Sequence, residues 1–596
     1  MAKACRQPPA DSPIRRECQI RTAARPGAWA GSHGDRGDGV IIDYLSGAYP
    51  AEVEADLCII GAGAAGIAIA REFIGSHVTV CLVEGGGFTG EQRSQELYEG
   101  SSVGHVPFDP GTSRMRVFGG SCNLWGGGCI PLSRQDMSAR DWVPHSGWPI
   151  TYNELVPYYA RAKTYCHLHS HDFVDGSFAT PTFHQPIAFN EETLVNQVFV
   201  HSPILFGDTY RDELEQAANI TVLLHANVLE LMASPDGRSV RSARLGSLDG
   251  HRGSVRARQY VLACGGIENA RLMLLSDSVV PQGLGNQHDV VGRYFMDHPS
   301  GTLGRLSTKA PHRVTRPYDR RRYRGATPSF PEIGLSDRAQ RAHRVLNGRM
   351  HPFGVEGPLP RGIRALRELR AALRPAPRDE NALLEEQMSA ALRNAPAVEA
   401  VAVPGSLGLA ALRVGLGVGD LARAFVHKLA DRPTVASSHI DLVGYFEQAP
   451  NPDSRITLGH DTDAFGQRKV SVDWRLTSLD HHTYRAAASL FGSGLAHACQ
   501  GHFQLDPWLS DDIAVTPLIH GTAHHLGTTR MSDDPRTGVV DRNCKVHGMD
   551  NLYLAGSSVF PTGGWAFPTF TIVALSLRLA DQLRTLLTPY VSSGLM

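Results

Sequence analysis

The chain has 596 residues, with 58 Lys and Arg against 59 Asp and Glu, a formal net charge of −1 and a pI of about 7.2. That balance gives no electrostatic case for a nucleic-acid partner, and the length allows more than one lobe with its own core. No apolar run reaches the roughly 20 residues of a membrane helix, and Arg15-Arg16 leads into no apolar segment, so neither a secretory nor a twin-arginine signal is expected.

Residues 1–40 are rich in Arg, Gly, Pro, Ala and Asp and have no periodicity, so they are expected to be disordered. Ordered-looking sequence begins at Val40-Ile-Ile-Asp-Tyr-Leu, and the native start is expected at Val40 if its codon is GTG. Residues 54–88 then read as strand, turn, helix, strand, with Gly61-x-Gly63-x-x-Gly66 at the turn and Glu84 ending the second strand. Gly61 allows the tight turn, Gly63 lets backbone approach a pyrophosphate, and Gly66 lets helix and strand pack closely. Glu84 stands near the spacing of about twenty residues at which an acid binds a ribose hydroxyl, so the segment implies dinucleotide binding.

Phe118-Gly-Gly-Ser-Cys-Asn-Leu-Trp-Gly-Gly-Gly-Cys129 suggests backbone running close against a flat ligand, or else a plain glycine loop. Residues 153–163 predict a surface helix. His167, His169 and His171 alternate and could line one face of a strand, but they lack a closing ligand pattern, so no metal site is expected. Ile220–Leu231 is strand-like and breaks at Ala226-Asn227; Tyr260 to Leu275 reads as a strand, a glycine pair and a helix at another edge of the nucleotide-binding sheet. Residues 357–432 differ in kind. Ile363, Leu366, Leu369 and Leu373 recur at helical spacing beside Arg364, Arg367, Arg370 and Arg374, and a second apolar helical stretch covers about 405–430. This is read as a helical insertion capping a lobe or making a subunit contact, with a basic amphipathic helix on a membrane surface as the alternative. Near the end come the histidine-dense Thr522-Ala-His-His-Leu-Gly-Thr-Thr-Arg-Met531 and the strand Asn551-Leu-Tyr-Leu-Ala-Gly-Ser-Ser. A long helix from Thr569 to about Leu586 follows, with Pro568 in its favourable first position. The ten cysteines are scattered, with Cys58, Cys81 and Cys264 in predicted buried strands. We expect reduced thiols and a cytoplasmic protein.

Together these segments resemble the glucose–methanol–choline (GMC) family of flavoprotein oxidoreductases, nearest in flavour to its pyranose oxidase and sugar dehydrogenase branches. The matching pieces are Gly61–Gly66 with Glu84, Arg114-Met-Arg-Val-Phe-Gly-Gly-Ser through Trp125-Gly-Gly, and Ala263 to Arg271. Val291-Gly-Arg-Tyr-Phe-Met-Asp-His-Pro299, Glu447 to Thr457, and His524-x-x-Gly-Thr528 complete the set. The resemblance implies an α/β protein whose second lobe is α+β. A Rossmann-like FAD-binding domain would be assembled from 41–150, 211–300 and 516–590, and a sheet-based substrate domain from 151–210 and 301–515 with the insertion at 357–432.

It further implies oxidation of a CH–OH carbon, with hydride passing to flavin N5 and a neutral imidazole taking the hydroxyl proton. His524 holds the family's catalytic histidine position, with His525 and His520 as neighbours. Gly61, Gly63, Gly66 and Glu84 would hold the ADP half of FAD and Val228 would lie near the adenine. Ser121, Asn123, Trp125 and Gly126 would run beside the flavin ring, and Gly556 and Ser557 would contact the pyrophosphate–ribityl region. The helix after Pro568, aimed at the ring, would stabilise the charge of its reduced form. Two positions depart from the pattern. The second catalytic position, normally His or Asn, is Phe567, which cannot hydrogen-bond substrate; His525 and Trp565 are candidates to supply that bond. The histidine that links FAD covalently in some relatives is Leu124 here, so FAD is expected to be non-covalent. The expected substrate is a sugar, glycoside or cyclitol, and the electron acceptor (oxygen, a quinone or a redox partner) stays open. No nucleic-acid or membrane partner is expected. A flavin-containing lyase or isomerase, or a subunit that keeps its flavin for structure, is the alternative that Phe567 keeps alive.

Overall fold

The computed structural model describes residues 40–46, 50–104, 106, 108–168, 186–318, 329–373, 407–429, 433–509 and 519–588. The expected disorder of residues 1–39, and the histidines at 169 and 171, lie outside them.

The expected strand–turn–helix–strand unit is present. Glu52–Ile60 forms a strand, Ala64–Arg71 a helix and Val80–Val83 the second strand. Leu57 to Ile60 and Val80 to Val83 are buried almost completely, as parallel strands covered on both faces must be. Around this unit an eight-stranded sheet assembles from distant segments. Val40–Asp43, Ile220–Leu224, Val80–Val83, Glu52–Ile60, Arg252–Leu262 and Leu552–Leu554 pair in parallel in that order. Val240–Gly246 and Asn227–Ala233 add an antiparallel wing on Arg252–Leu262.

Four local readings are corrected. The Tyr260 strand is not at an edge: it lies between Glu52–Ile60 and its own partners, because its C-terminal half is apolar on both faces. The break after Ile220 falls at His225-Ala226, where His225 takes a left-handed φ of 50°. Pro568 is the residue before the helix Thr569–Leu587 rather than its first turn. His167 sits in a left-handed turn (φ 51°) after the helix Tyr152–Tyr165, not on a strand.

A second, seven-stranded sheet is antiparallel throughout its recorded pairs. It runs His502–Leu505, Ser300–Ser307, Ser437–Phe446, Gly348–Glu356, Ser329–Leu335, Leu194–His201 and Gly128–Cys129. The helix Ser478–Cys499 covers it through Tyr484, Ala487, Ala488, Phe491 and Leu495. The predicted insertion is helical: Arg361–Ala372, Leu407–Leu416 and Val418–Leu429. Gly362 and Gly417 bring two of these helices into backbone contact, since a Cβ on Gly362 would lie 2.2 Å from the Gly417 carbonyl oxygen.

A buried polar network fastens the second lobe to the segment after the glycine-rich stretch. Arg140 donates to both carboxylate oxygens of Glu447 at 2.8 and 2.6 Å. Asn347 donates to Asp136, while its own N–H donates to Glu447. Trp148 donates to Thr562, whose hydroxyl donates to the Asp136 carbonyl. Both Glu447 oxygens, both Arg140 Nη atoms and the Thr562 hydroxyl are engaged, which offsets much of the cost of burying them.

Candidate active site

The three motif glycines divide into two kinds. A Cβ on Gly61 (φ 101°) would lie 2.6 Å from the Ala263 carbonyl oxygen, and one on Gly66 would lie 1.9 Å from the Gly61 oxygen. These two are glycine because neighbouring backbone fills the space. Gly63 is different: a Cβ there would meet nothing within 4 Å. Gly126 and Gly556, from the other two segments expected to hold a cofactor, face open space in the same way. Bare backbone from the first turn, the glycine-rich stretch and the strand end at Leu554 therefore faces open space, which is what an extended ligand needs.

Glu84 lies at the end of the second strand, buried, with its carboxylate accepting N–H groups of Ala62 at 3.0 Å and Gly86 at 2.9 Å. Burial raises its pKa, opposed first by the charge of Arg116. A carboxylate has about four acceptor positions, so two remain for a ribose diol. Arg116 stretches over Gly85, stacks on Tyr98 and donates to Asn227 at 2.5 Å. A cavity of about 260 Å³ opens there, lined by Gly85, Glu91, His225 and Asn227 among others. Val228 lines a smaller adjoining one of about 30 Å³, which shares Asn227 with the first.

The other predicted contacts use their side chains internally. Ser121 accepts the Met115 N–H, and Asn123 bridges the Phe118 carbonyl and the Gly207 N–H. Trp125 donates to the Ile204 carbonyl, and Ser557 donates to the His525 carbonyl at 2.6 Å. These residues shape the loops, and what they leave for a ligand is backbone. Leu124 packs on Met115 and Val117.

His524 stands at the centre of a second constellation. Its Nδ1 lies 2.7 Å from Thr522 Oγ1 and 3.2 Å from His298 Nδ1. The buried carboxylate of Asp297 organises the loop. It accepts the backbone N–H groups of His298, Thr522, Ala523 and His524, together with the Thr522 hydroxyl. Ala523 is held at φ 59°, a strained value for a residue with a Cβ, so the loop is over-determined by these bonds. When the Thr522 hydroxyl donates to Asp297 or to the His298 carbonyl, His524 Nδ1 must carry a proton and donate to it, and the neutral ring then keeps its lone pair on Nε2. Nε2 makes no hydrogen bond among the described residues. Burial, then the charges of His298 and Arg349, hold the His524 pKa well below the ordinary histidine value, so the ring is neutral at neutral pH. Burial likewise lowers His298 to about 4 and raises Asp297 to about 6.

Phe567 closes one side of this group. Its ring centre is 5.4 Å from that of His524 and 5.0 Å from that of Phe199. Trp565 lies behind Phe199 at 5.1 Å. The guanidinium of Arg349 lies over the Phe567 ring at 4.5 Å. His525 is placed elsewhere: its ring sits between Phe108 and Phe295, each 5.8 Å away, and burial lowers its pKa to about 3. His520 is exposed and pairs by backbone with Ser300. Among the described residues no group of three His, Cys, Asp or Glu could hold a metal ion.

Residues 450–576, which carry His524, Gly556 and Phe567, match the family described as GMC oxidoreductase. This part of the chain is a GMC oxidoreductase C-terminal domain.

Relatives within that family agree. The chain is 24% identical over 581 residues to a 6'''-hydroxyparomomycin C oxidase of Streptomyces lividus, covering 88% of this chain and 90% of that one. It is 26% identical over 335 residues to the fructose dehydrogenase large subunit of Gluconobacter japonicus, an alignment covering 55% of this chain and 47% of that subunit, or about half its length. The structure of pyridoxine 4-oxidase from Mesorbium loti superposes with a TM-score of 0.52 at 16% identity, covering 89% of this chain and 99% of that one, and shares the fold. The flavoproteins of this family use FAD, and the open glycine backbone at Gly63, Gly126 and Gly556 fits such a group.

Sequence reading missed Asp297, His298, Thr522, Arg349 and Glu332. Asp297 and His298 stood in a quoted segment, Met296-Asp-His-Pro299, but nothing local showed that they reach His524. Arg349 and Glu332 carry no local signal.

Proposed function

We propose that this chain oxidises a CH–OH group of a sugar, glycoside or cyclitol, with non-covalently bound FAD as its cofactor. FAD, when bound, supplies the two-electron acceptor for the hydride that leaves the carbon. The chain's own part is to hold the alcohol and move its proton. His524 Nε2 takes that proton, because its lone pair is kept free by Nδ1 donating to Thr522 and by burial of the neutral ring. Asp297 and Thr522 fix the ring's tautomer and direction, so no reorganisation is needed at the moment of transfer. Gly61, Gly63, Gly66 and Glu84 would hold the ADP half, and Gly126 and Gly556 would pass beside the rest. Leu124 in the apolar contact with Met115 and Val117 offers no nucleophile for a covalent link.

The observation that carries this reading is the His524 group: a neutral, oriented imidazole with one open nitrogen, inside the domain that matches the family. The sugar and aminoglycoside names of the relatives support the substrate class. The test is an anaerobic visible spectrum of purified protein titrated with sugars, glycosides and inositols. Bleaching of the oxidised-flavin band by one of them is expected, and a band that only dithionite bleaches would overturn the reading. Flavin that stays with acid-precipitated protein would overturn the non-covalent attachment.

A further inference from the structure

Two buried Arg–Glu ion pairs differ in how their carboxylates are used, although the arginine Nε is without a hydrogen-bond partner among the described residues in both. Arg140 and Glu447 form a two-pronged fork with both carboxylate oxygens engaged. Arg349 and Glu332, equally buried, touch through a single contact of 3.4 Å between Nη1 and Oε1. The second carboxylate oxygen, Oε2, and the guanidinium Nε have no hydrogen-bond partner among the described residues. His351 Nδ1, 3.1 Å from Oε1, adds nothing to Oε2. A buried donor and a buried acceptor left unmatched side by side are costly and ask for a reason.

Their position supplies one. They stand on adjacent strands, Ser329–Leu335 and Gly348–Glu356, of the second sheet. The guanidinium lies over Phe567 at 4.5 Å and Tyr445 at 4.1 Å, and the Phe567 ring is the one beside His524. The Arg349 guanidinium and the His524 ring thus both stand against the Phe567 ring. Resting on the reading of His524 as the reacting centre, we propose that Arg349 and Glu332 are a substrate subsite that binds a vicinal diol. One hydroxyl accepts from Arg349 Nε and its neighbour donates to Glu332 Oε2. A monohydric alcohol must serve both groups from one hydroxyl, donating to Oε2 and accepting from Nε at a single point, whereas a vicinal diol serves each with its own. Phe567, which cannot bond an oxygen, instead gives the sugar ring an apolar wall.

The test uses the flavin-loaded protein in a His524→Ala background, where turnover is stopped and binding is read by calorimetry. The probes are D-glucose and myo-inositol, with cyclohexanol as the ring that lacks a diol. Arg349→Lys and Glu332→Gln keep the volume of each side chain. The double variant Arg349→Met with Glu332→Gln leaves no lone buried charge, should a single variant fold poorly. Each variant is expected to weaken diol binding about ten- to a hundredfold, the value of one lost charge-assisted bond, with a smaller loss for cyclohexanol. Equal diol affinity in all variants, equal loss for cyclohexanol, or no diol binding in the His524→Ala protein would overturn the subsite. The two readings separate cleanly. Diol binding lost in the variants, with wild-type flavin that no polyol bleaches, refutes only the oxidation. Bleaching with variant-independent affinity refutes only the subsite.

Discussion

The same substitution, glycine to alanine, is expected to have opposite effects three residues apart. At Gly66 a new Cβ would sit 1.9 Å from the Gly61 carbonyl oxygen and 3.3 Å from the Ile59 side chain. The first contact is with backbone that the turn itself fixes, since Gly61 donates its N–H to Val83 at 2.7 Å. Helix and strand must therefore separate, and the cost lies at or above the upper end of overpacking, about 3 kcal/mol. That lowers the thermal midpoint of the apoprotein by about 2–5 °C, the range between the whole chain and one lobe unfolding as the unit. At Gly63 the backbone is extended (φ −81°, ψ −171°), which alanine adopts freely, and the Cβ meets nothing within 4 Å. Apoprotein stability is expected to stay level or rise by about 0.4–1 kcal/mol, from lost freedom in the unfolded chain. The methyl group instead occupies the space in which the proposed pyrophosphate lies, so FAD affinity falls at least tenfold. The assay is a pair of measurements on each variant: thermal unfolding of the apoprotein, and FAD titration followed by flavin fluorescence. A Gly63→Ala protein that binds FAD as wild type does, or a Gly66→Ala protein with an unchanged midpoint, would refute the division of roles.

The rate of flavin reduction is expected to hold steady down to pH 6.5 and to fall only below it. In the proposed role His524 works unprotonated, and its pKa is pushed below the ordinary 6.5, so protonation sets in only at lower pH. An acid limb centred above 6.5 that vanishes in His524→Gln would contradict this. Glu447→Ala strands the buried Arg140 charge and should cost about 3–5 kcal/mol in a denaturant titration, while Arg140→Met with Glu447→Leu recovers most of it. A single variant as stable as wild type would show that the pair does not fasten the lobes. Phe567→Asn gives up ring contacts with Phe199 and Arg349, worth about 1–3 kcal/mol together, so the protein still folds. Its turnover should change, and kinetics identical to wild type would put position 567 outside the reacting centre.

The nucleotide-binding half was largely legible because its signals are local. Gly61, Gly63 and Gly66 are three residues in one turn, and each conformational demand on them arises within a few residues or on the next strand. The helix Thr569–Leu587 and the insertion helices announced themselves by periodicity. The centrality of the Tyr260 strand was not legible, since an apolar strand looks alike at the second or the last place in a sheet. Nor was the employment of Ser121, Asn123 and Ser557 in loop bonds, because their partners at Met115, Gly207 and His525 are chosen by the folded chain.

The reacting group shows why local reading stops where it does. His524 comes from one segment, Asp297 and His298 from another about 226 residues earlier, and Arg349 from the second sheet. Each is unremarkable alone: a histidine beside another histidine, an acid before a proline-bound histidine, an arginine in a strand. Their chemistry is made by juxtaposition. Asp297 has no role in the sequence until four backbone N–H groups converge on it, and then it orders the loop that carries Thr522 and His524. Phe567 looks like a lost function when read against its own segment. In the fold it is the ring that Arg349 lies on, so what position 567 no longer offers in hydrogen bonding stands beside a buried cation from the opposite lobe. A substitution of one hydrogen-bonding residue by phenylalanine is thus to be judged against the groups that fold onto it, not against the residue it replaced.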